Sequence, residues 1–236
     1  MSTASPLVAE TLAVSGVDAV VVDMQHGEAT LSEVFALIAT IELRGAEPFV
    51  RAPSLDASLI GRLLDMGATG IIVPMVGSAG DAKQLVRAVR YPPQGARSFG
   101  PRRPHLRFGA DGVRGAAERA VCLAMIETEE GLTAAAEIAA VAGLDGIFVG
   151  PADLSMSLAG RAAEDPGAVE RAVGSVLVAG RTAGCRTGIF CPSAEAAAAR
   201  LAAGFDLVTI GSDLAAIERQ VTLAIGALTA AVHRTQ

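Results

Sequence analysis

The chain has 236 residues, which suits a single α/β domain over residues 1–236, and its 51% hydrophobic content supports a sizeable core built without Trp. A net charge of −6 argues against a nucleic-acid partner, and three irregularly spaced cysteines (Cys122, Cys185, Cys191) argue against a disulfide framework. There is no signal-like start and no continuous apolar run of ~18 residues, so the reading is a cytoplasmic protein with reduced thiols and no membrane span.

An opening helix is expected over about 5–15. Short β-branched runs then alternate with Ala- and Leu-rich stretches of helical periodicity. In order these are strand 18–23, helix 31–44, strand 47–51, helix 56–66, strand 70–75 and helix 79–90. Residues 91–112, rich in Pro, Gly and Arg, read as a long loop, and "PPQGARSFG" within it lacks the spacing of a nucleotide-binding loop. It reads instead as a basic lid near an acidic substrate. Strand 121–126, helix 129–141, strand 145–149, helix 166–183, strand 186–190, helix 194–203, strand 206–210 and helix 213–231 complete the chain. Such alternation builds parallel βαβ units, and Gly67, Gly143, Gly184 and Gly204 stand where helix C-terminal caps belong. The fold class is therefore α/β. Seven strands are one fewer than a closed (β/α)8 barrel needs, so either the sheet is open or the first strand is missing or reduced to the residues near Met1.

Four polar stations stand just past the carboxyl ends of four strands: Asp23 with His26 in "VVDMQHGEA", Arg51, Glu127 in "AMIETEEG", and Asp153 in "GPADLS". In a parallel sheet those ends share one face, where active sites lie. Each residue has a bland reading. Asp23 and Asp153 could cap turns, His26 could be a loop residue, Arg51 could pair with an acid, and Glu127 could favour a helix start before Thr128. As a set on one face they read as a site. Two carboxylates suit a hard divalent cation such as Mg²⁺ or Mn²⁺, Arg51 suits a carboxylate or a developing oxyanion, and His26 can move protons. Together they fit chemistry through an enolate. Lys83, the only lysine, falls on a predicted helix away from any strand end, which disfavours a Schiff-base mechanism. His105, in the Arg-rich loop, and His233, in the tail, are read as non-functional, and Cys191 as a small pocket-wall residue.

The segments "VVDMQHG", "RLLDMGATGIIVPMV", "RYPPQGARSFG", "MIETEEGL" and "GIFVGPADLS" resemble the HpcH/HpaI aldolases of the pyruvate/phosphoenolpyruvate-domain barrels, in order and nearly throughout the chain. The resemblance implies a TIM (β/α)8-type barrel with its first strand missing or truncated. It implies a class II aldolase that reversibly cleaves a 4-hydroxy-2-oxo acid to pyruvate and an aldehyde, as in aromatic-compound catabolism. Glu127 and Asp153 would hold a divalent metal (Mg²⁺, Mn²⁺ or Co²⁺), and Arg51 would contact the keto oxygen. His26 would transfer protons through a metal-held water, with Asp23 beside it. Gly150, Pro151 and Ala152 would meet the pyruvate carboxylate, and Asp65 would pair with the histidine. Asp65 is predicted near a helix end on the wrong face of its own barrel, so it would have to reach a site from a neighbouring subunit or by unusual packing. The family resemblance also implies a homo-oligomer, a trimer or hexamer, with the last helix packed on a neighbour.

Three departures from the family pattern stand out: Gln25 where many relatives have Glu, Met125 in place of a polar residue, and the missing first strand. Two rival readings remain. One is a CoA-thioester lyase of the citrate-lyase-β-like branch, with Arg97, Arg102, Arg103 and Arg107 as its phosphate groove. The other is a non-catalytic 2-oxo-acid-binding relative.

Overall fold

The computed structural model describes residues 1–234; the side chains of Arg102, Ala110, Asp111, Val113, Arg114, Ala116, Ala117, His233 and Arg234 fall outside the described set. The first half runs α1 (Pro6–Ala13), β1 (Ala19–Asp23), α2 (Leu31–Leu43), β2 (Glu47–Arg51), α3 (Ala57–Asp65), β3 (Gly70–Val73), α4 (Ala79–Val89) and α5 (Arg102–Arg119). The second half runs β4 (Val121–Ile126), α6 (Glu129–Thr133), α7 (Ala135–Ala139), β5 (Gly146–Val149), α8 (Pro151–Ser157), α9 (Ala159–Glu164), α10 (Ala168–Ala183), β6 (Arg186–Cys191), α11 (Ala194–Ala203), β7 (Leu207–Ile210) and α12 (Asp213–Arg234).

All pairings are parallel, and the strands lie in chain order from β1 to β7. Side chains alternate between two layers, as the two-residue period of a strand requires. Cys122, Ala124 and Ile126 of β4, with Ile147 and Val149 of β5, join the large core between sheet and helices. Leu123, Met125, Phe148, Ile72 and Phe49 turn inward and form a second, smaller core inside the curved sheet. Local sequence sets the helix starts: Asp56 accepts from the amides of Ser58 and Leu59 at α3, and Thr30 and Glu33 form a capping box at α2.

Among the described residues there is no eighth strand, and the edges of β1 and β7 are bridged near their carboxyl ends by the first residues of the chain. The amino group of Met1 donates to Val21 O while Met1 O accepts from Asp23 N, a parallel rung beside β1. The next residues reach the other edge: Ser2 N, Thr3 N and Thr3 Oγ1 all donate to the Asp213 carboxylate at the start of α12, at 2.6, 3.0 and 2.7 Å.

Several expectations are corrected. The long loop over 91–112 is partly helix: α5 begins at Arg102, with Gly109 at φ 68° marking a kink that hid the periodicity. Nor is this stretch a lid over the carboxyl ends. Arg103 bonds Glu42 of α2 at 2.5 Å and Arg107 reaches Glu47 at the start of β2, so α5 covers the opposite end. The short helices α8 and α9 went unrecognised because neither is long enough to show a period, and helix 129–141 breaks at Ala134 into α6 and α7. Helix α12 holds no continuous apolar run of that length, since Glu218, Arg219 and Gln220 interrupt it, although Asp213–Val232 is long and apolar enough to cross a membrane by length and composition alone. Cys191 is buried in the sheet–helix core rather than in a pocket wall.

Arg90 anchors the turn from α4 toward β4. It is nearly buried and donates to the carbonyls of Glu118, Ala120 and Gly143 and to Asp145, whose carboxylate also accepts from Cys122 N at 2.7 Å. Removing a buried cation strands all of these acceptors at once. Arg90→Met is expected to lower unfolding stability by about 3 kcal/mol, read by urea denaturation; a loss below about 1 kcal/mol would mean the network is dispensable.

Candidate active site

Strand parity and register assemble the site. Asp23 follows Val21 by two residues, Arg51 follows Phe49, and Glu127 follows Met125, so all three turn toward the inside of the sheet. The β1–β2 register sets Asp23 directly beside Arg51. With His26, Gly150, Pro151, Ala152 and Asp153 they border a cavity of about 250 Å³ whose floor is Val21, Ile72, Met125, Phe148 and Phe190. A polar rim over an apolar floor lowers the local dielectric and strengthens charge interactions above it.

Arg51 grips Asp23 in a fork, Nε to Oδ1 at 2.8 Å and Nη2 to Oδ2 at 2.6 Å. Asp23 Oδ1 also accepts from the amides of Gln25 (3.0 Å) and His26 (3.3 Å). Asp23 therefore both caps its turn and lines the cavity. Burial alone would raise the Asp23 carboxyl; Arg51 and the two amides outweigh it and hold it below the ordinary range. His26 is exposed at the rim, and its backbone is fixed by the same carboxylate.

Glu127 is in the reverse situation. It is 1% exposed, and Oε1 accepts from Met75 N at 2.8 Å while Oε2 is buried with no hydrogen-bond partner. Burial pushes its carboxyl up, the Met75 amide pulls the other way, and the nearby Asp153 adds to the rise. A side chain at position 150 would displace the carboxylate, because a Cβ on Gly150 would lie 2.6 Å from Glu127 Oε2 and 3.0 Å from Glu127 Cβ. Asp153 sits exposed in the first turn of α8, lining the same cavity.

This donor set fits a hard divalent cation. A buried carboxylate oxygen without a partner, beside a second carboxylate, is an anion pair that lacks a counter-charge, and Arg51 is already committed to Asp23. Among the described residues no three His, Cys, Asp or Glu side chains form a complete ligand cluster. An ion held by Glu127 and Asp153 would therefore keep positions open for water and substrate oxygens.

The structure brings together all the sequence-singled residues except Asp65. That residue ends α3 and is bound to the buried Arg97 at 2.6 Å, away from the cavity, so within one subunit it does not touch His26. His105 is exposed on α5, and the side chain of His233 lies outside the described residues. Sequence reasoning missed Met1 and Ser2 at the rim, and Met75, whose backbone amide rather than its side chain meets Glu127. No residue-type signal marks a backbone donor, and the approach of Met1 and Ser2 is visible only once the chain has curled.

Comparison with known proteins agrees with this architecture. The family model described as HpcH/HpaI aldolase/citrate lyase matches residues 1–219. A hydroxypyruvate/pyruvate aldolase of Rhizorhabdus wittichii is 48% identical over 218 residues, covering 90% of this chain and 87% of its own. An HpcH/HpaI aldolase/citrate lyase family protein from Burkholderia cenocepacia superposes with a TM-score of 0.89 at 32% identity, over 97% of this chain and 92% of that one. The citrate synthase SbnG does so with a TM-score of 0.85 at 32% identity, over 98% and 92%. With seven parallel strands in barrel arrangement and a family match over most of its length, the chain belongs to the HpcH/HpaI aldolase/citrate lyase family.

Proposed function

We propose that this protein is a divalent-metal-dependent (class II) aldolase, a carbon–carbon lyase that reversibly cleaves a 4-hydroxy-2-oxo acid to pyruvate and an aldehyde. Glu127 carries the reading: a buried carboxylate with one unpartnered oxygen, facing a cavity that also holds Asp153, Arg51 and His26. The name of the 48%-identical relative supports pyruvate or hydroxypyruvate as the 2-oxo acid.

Glu127 and Asp153 would hold Mg²⁺, Mn²⁺ or Co²⁺, which when bound polarises a 2-oxo group as a Lewis acid. Arg51 spends two of its five N–H donors on Asp23; the rest of the guanidinium borders the cavity and stabilises charge developing on the 2-oxo oxygen. In the cleavage direction His26 takes the proton of the C4 hydroxyl, and the C3–C4 bond breaks to release the aldehyde. The bonding pair becomes the enolate of pyruvate, and C3 then takes a proton from the His26 imidazolium, which returns His26 to its neutral form. The Asp23–Arg51 fork keeps the cation from swinging onto Glu127. The backbone of Gly150, Pro151 and Ala152 borders the place of the substrate carboxylate.

A CoA-thioester lyase needs free cations for the CoA phosphates. Here Arg97, Arg103 and Arg107 are tied to Asp65, Glu42 and Glu47, Arg103 and Arg107 at the amino end of the barrel, and the Arg102 side chain is outside the described residues. Lys83 is exposed on α4, far from the role a Schiff base demands.

In the same reading residues 1–236 form one cytoplasmic barrel domain. Burial pushes the Cys122 thiol up to about 12 and the Cys185 thiol up to about 11, leaving both unreactive. The protein is a homo-oligomer. On α12 the exposed Leu214, Ile217, Val221, Ile225, Leu228 and Val232 recur every three or four residues, an apolar stripe that a neighbouring copy would cover.

Three outcomes follow. A coupled pyruvate-release assay over a panel of 4-hydroxy-2-oxo acids should lose its signal in chelator, regain it with Mg²⁺ or Mn²⁺, and survive borohydride in the presence of pyruvate. Activity that persists in chelator contradicts the metal mechanism, and tight oxalate binding without turnover would favour a non-catalytic relative. Second, Glu127→Gln should abolish turnover yet raise the melting temperature of the metal-free protein at neutral pH. The sign follows from the raised carboxyl: the folded state binds more protons than the unfolded one as pH rises past the ordinary Glu value of about 4.3, so ionising it costs stability until the folded value is passed. A lowered melting temperature would show that Glu127 is already compensated. Third, Ile225→Glu should reduce the particle mass measured by light scattering, whereas an unchanged oligomer would remove α12 from the interface.

A further inference from the structure

We propose that Met75 is a positioning residue: its left-handed backbone turns a single amide onto Glu127 and so fixes which carboxylate oxygen faces the cation site. The inference rests on the reading of Glu127 and Asp153 as the metal pair. Met75 has φ 57° and is the one non-glycine residue with positive φ among those described. An L side chain resists that conformation, which persists only where the surroundings over-determine it, and such residues gather at functional sites.

The surroundings here do over-determine it. Met75 lies between the end of β3 and the start of α4. On its far side Val76 N donates to Met125 O at 3.3 Å, pinning the loop to β4. Gly77 N and Ser78 Oγ both donate to Asp81 Oδ2, at 3.2 and 2.8 Å, and Ser78 caps α4. Gly131 leaves the loop room, since a Cβ there would lie 2.6 Å from Val76 O. Between these anchors the chain reverses within one residue, and Met75 N emerges 2.8 Å from Glu127 Oε1. The Met75 side chain contributes nothing comparable: it is 59% exposed and does not line the cavity. The amide occupies Oε1 and stops rotation of the carboxylate, leaving Oε2 as the oxygen without a partner. A supporting donor of this kind pre-orients a ligand before the ion arrives.

The position is occupied by methionine where glycine would fit the backbone without strain, so the conformation and the side chain can be tested separately. Met75→Gly keeps both the amide and the positive φ. Met75→Val keeps the amide but has a β-branched side chain that disfavours positive φ. Mn²⁺ binding in the presence of oxalate, measured by calorimetry on the whole protein, should be within about twofold of wild type for Met75→Gly and about 10- to 100-fold weaker for Met75→Val. Equal affinity in both variants overturns the inference while leaving the metal reading intact; no Mn²⁺ binding by wild type overturns both. Should Met75→Val fail to fold, selective ¹⁵N-methionine labelling decides the matter, because only six methionines are present. In the wild-type protein the Met75 amide proton should resonate downfield and move upfield in Glu127→Ala, more than the amides of Met24, Met66, Met125 and Met156. No differential movement would show that the amide does not hold Glu127.

Discussion

The site turns on the fork between Arg51 and Asp23. Two neighbouring parallel strands end in opposite charges at paired positions, and the guanidinium closes on the carboxylate with two short bonds. This commitment divides the carboxylates of the cavity into two kinds. Asp23 is satisfied and keeps its charge, whereas Glu127, three strands further on, is buried with one carboxylate oxygen unpartnered. The same fork holds the loop that carries His26, because Asp23 also accepts from the His26 amide. One ion pair therefore fixes the Arg51 guanidinium at the cavity, holds the backbone of His26 and leaves one oxygen of Glu127 without a partner.

That arrangement makes the site costly to the metal-free fold. A carboxylate removed from water is unfavourable unless it is paired, and Glu127 receives one backbone bond. The backbone that supplies this bond is itself in an unfavourable conformation at Met75. Binding energy from a cation and substrate would offset both penalties. The barrel supports such local cost because its two cores, one outside the sheet and one within it, are otherwise filled with buried apolar side chains.

Much of this was legible in the chain itself. All seven strands could be read from β-branched runs, because a strand buried on both faces has few polar residues to break its pattern. The convergence of Asp23, Arg51, Glu127 and Asp153 followed from strand ends sharing one face. What escaped notice had physical causes. Helix α5 is polar, rich in Gly and kinked at Gly109, so its apolar spacing carried little signal. The arginines before and within it looked like a lid, but their partners Glu42, Glu47 and Asp65 come from elements distant in sequence. Asp65 itself shows that a recognisable motif does not place a side chain: the helix that carries it ends at the other side of the barrel wall. The role of Met75 belongs to its backbone, and side-chain identity is silent about that.

The central claim is that Glu127 and Asp153 share one divalent ion. Anomalous diffraction at the manganese edge, from crystals soaked in Mn²⁺ and oxalate, tests it directly. The account predicts one strong peak bonded to both carboxylates, with Glu127 contributing Oε2 and Arg51 still forked onto Asp23. A peak bonded to neither residue, or no peak in the cavity while oxalate is bound there, would contradict it.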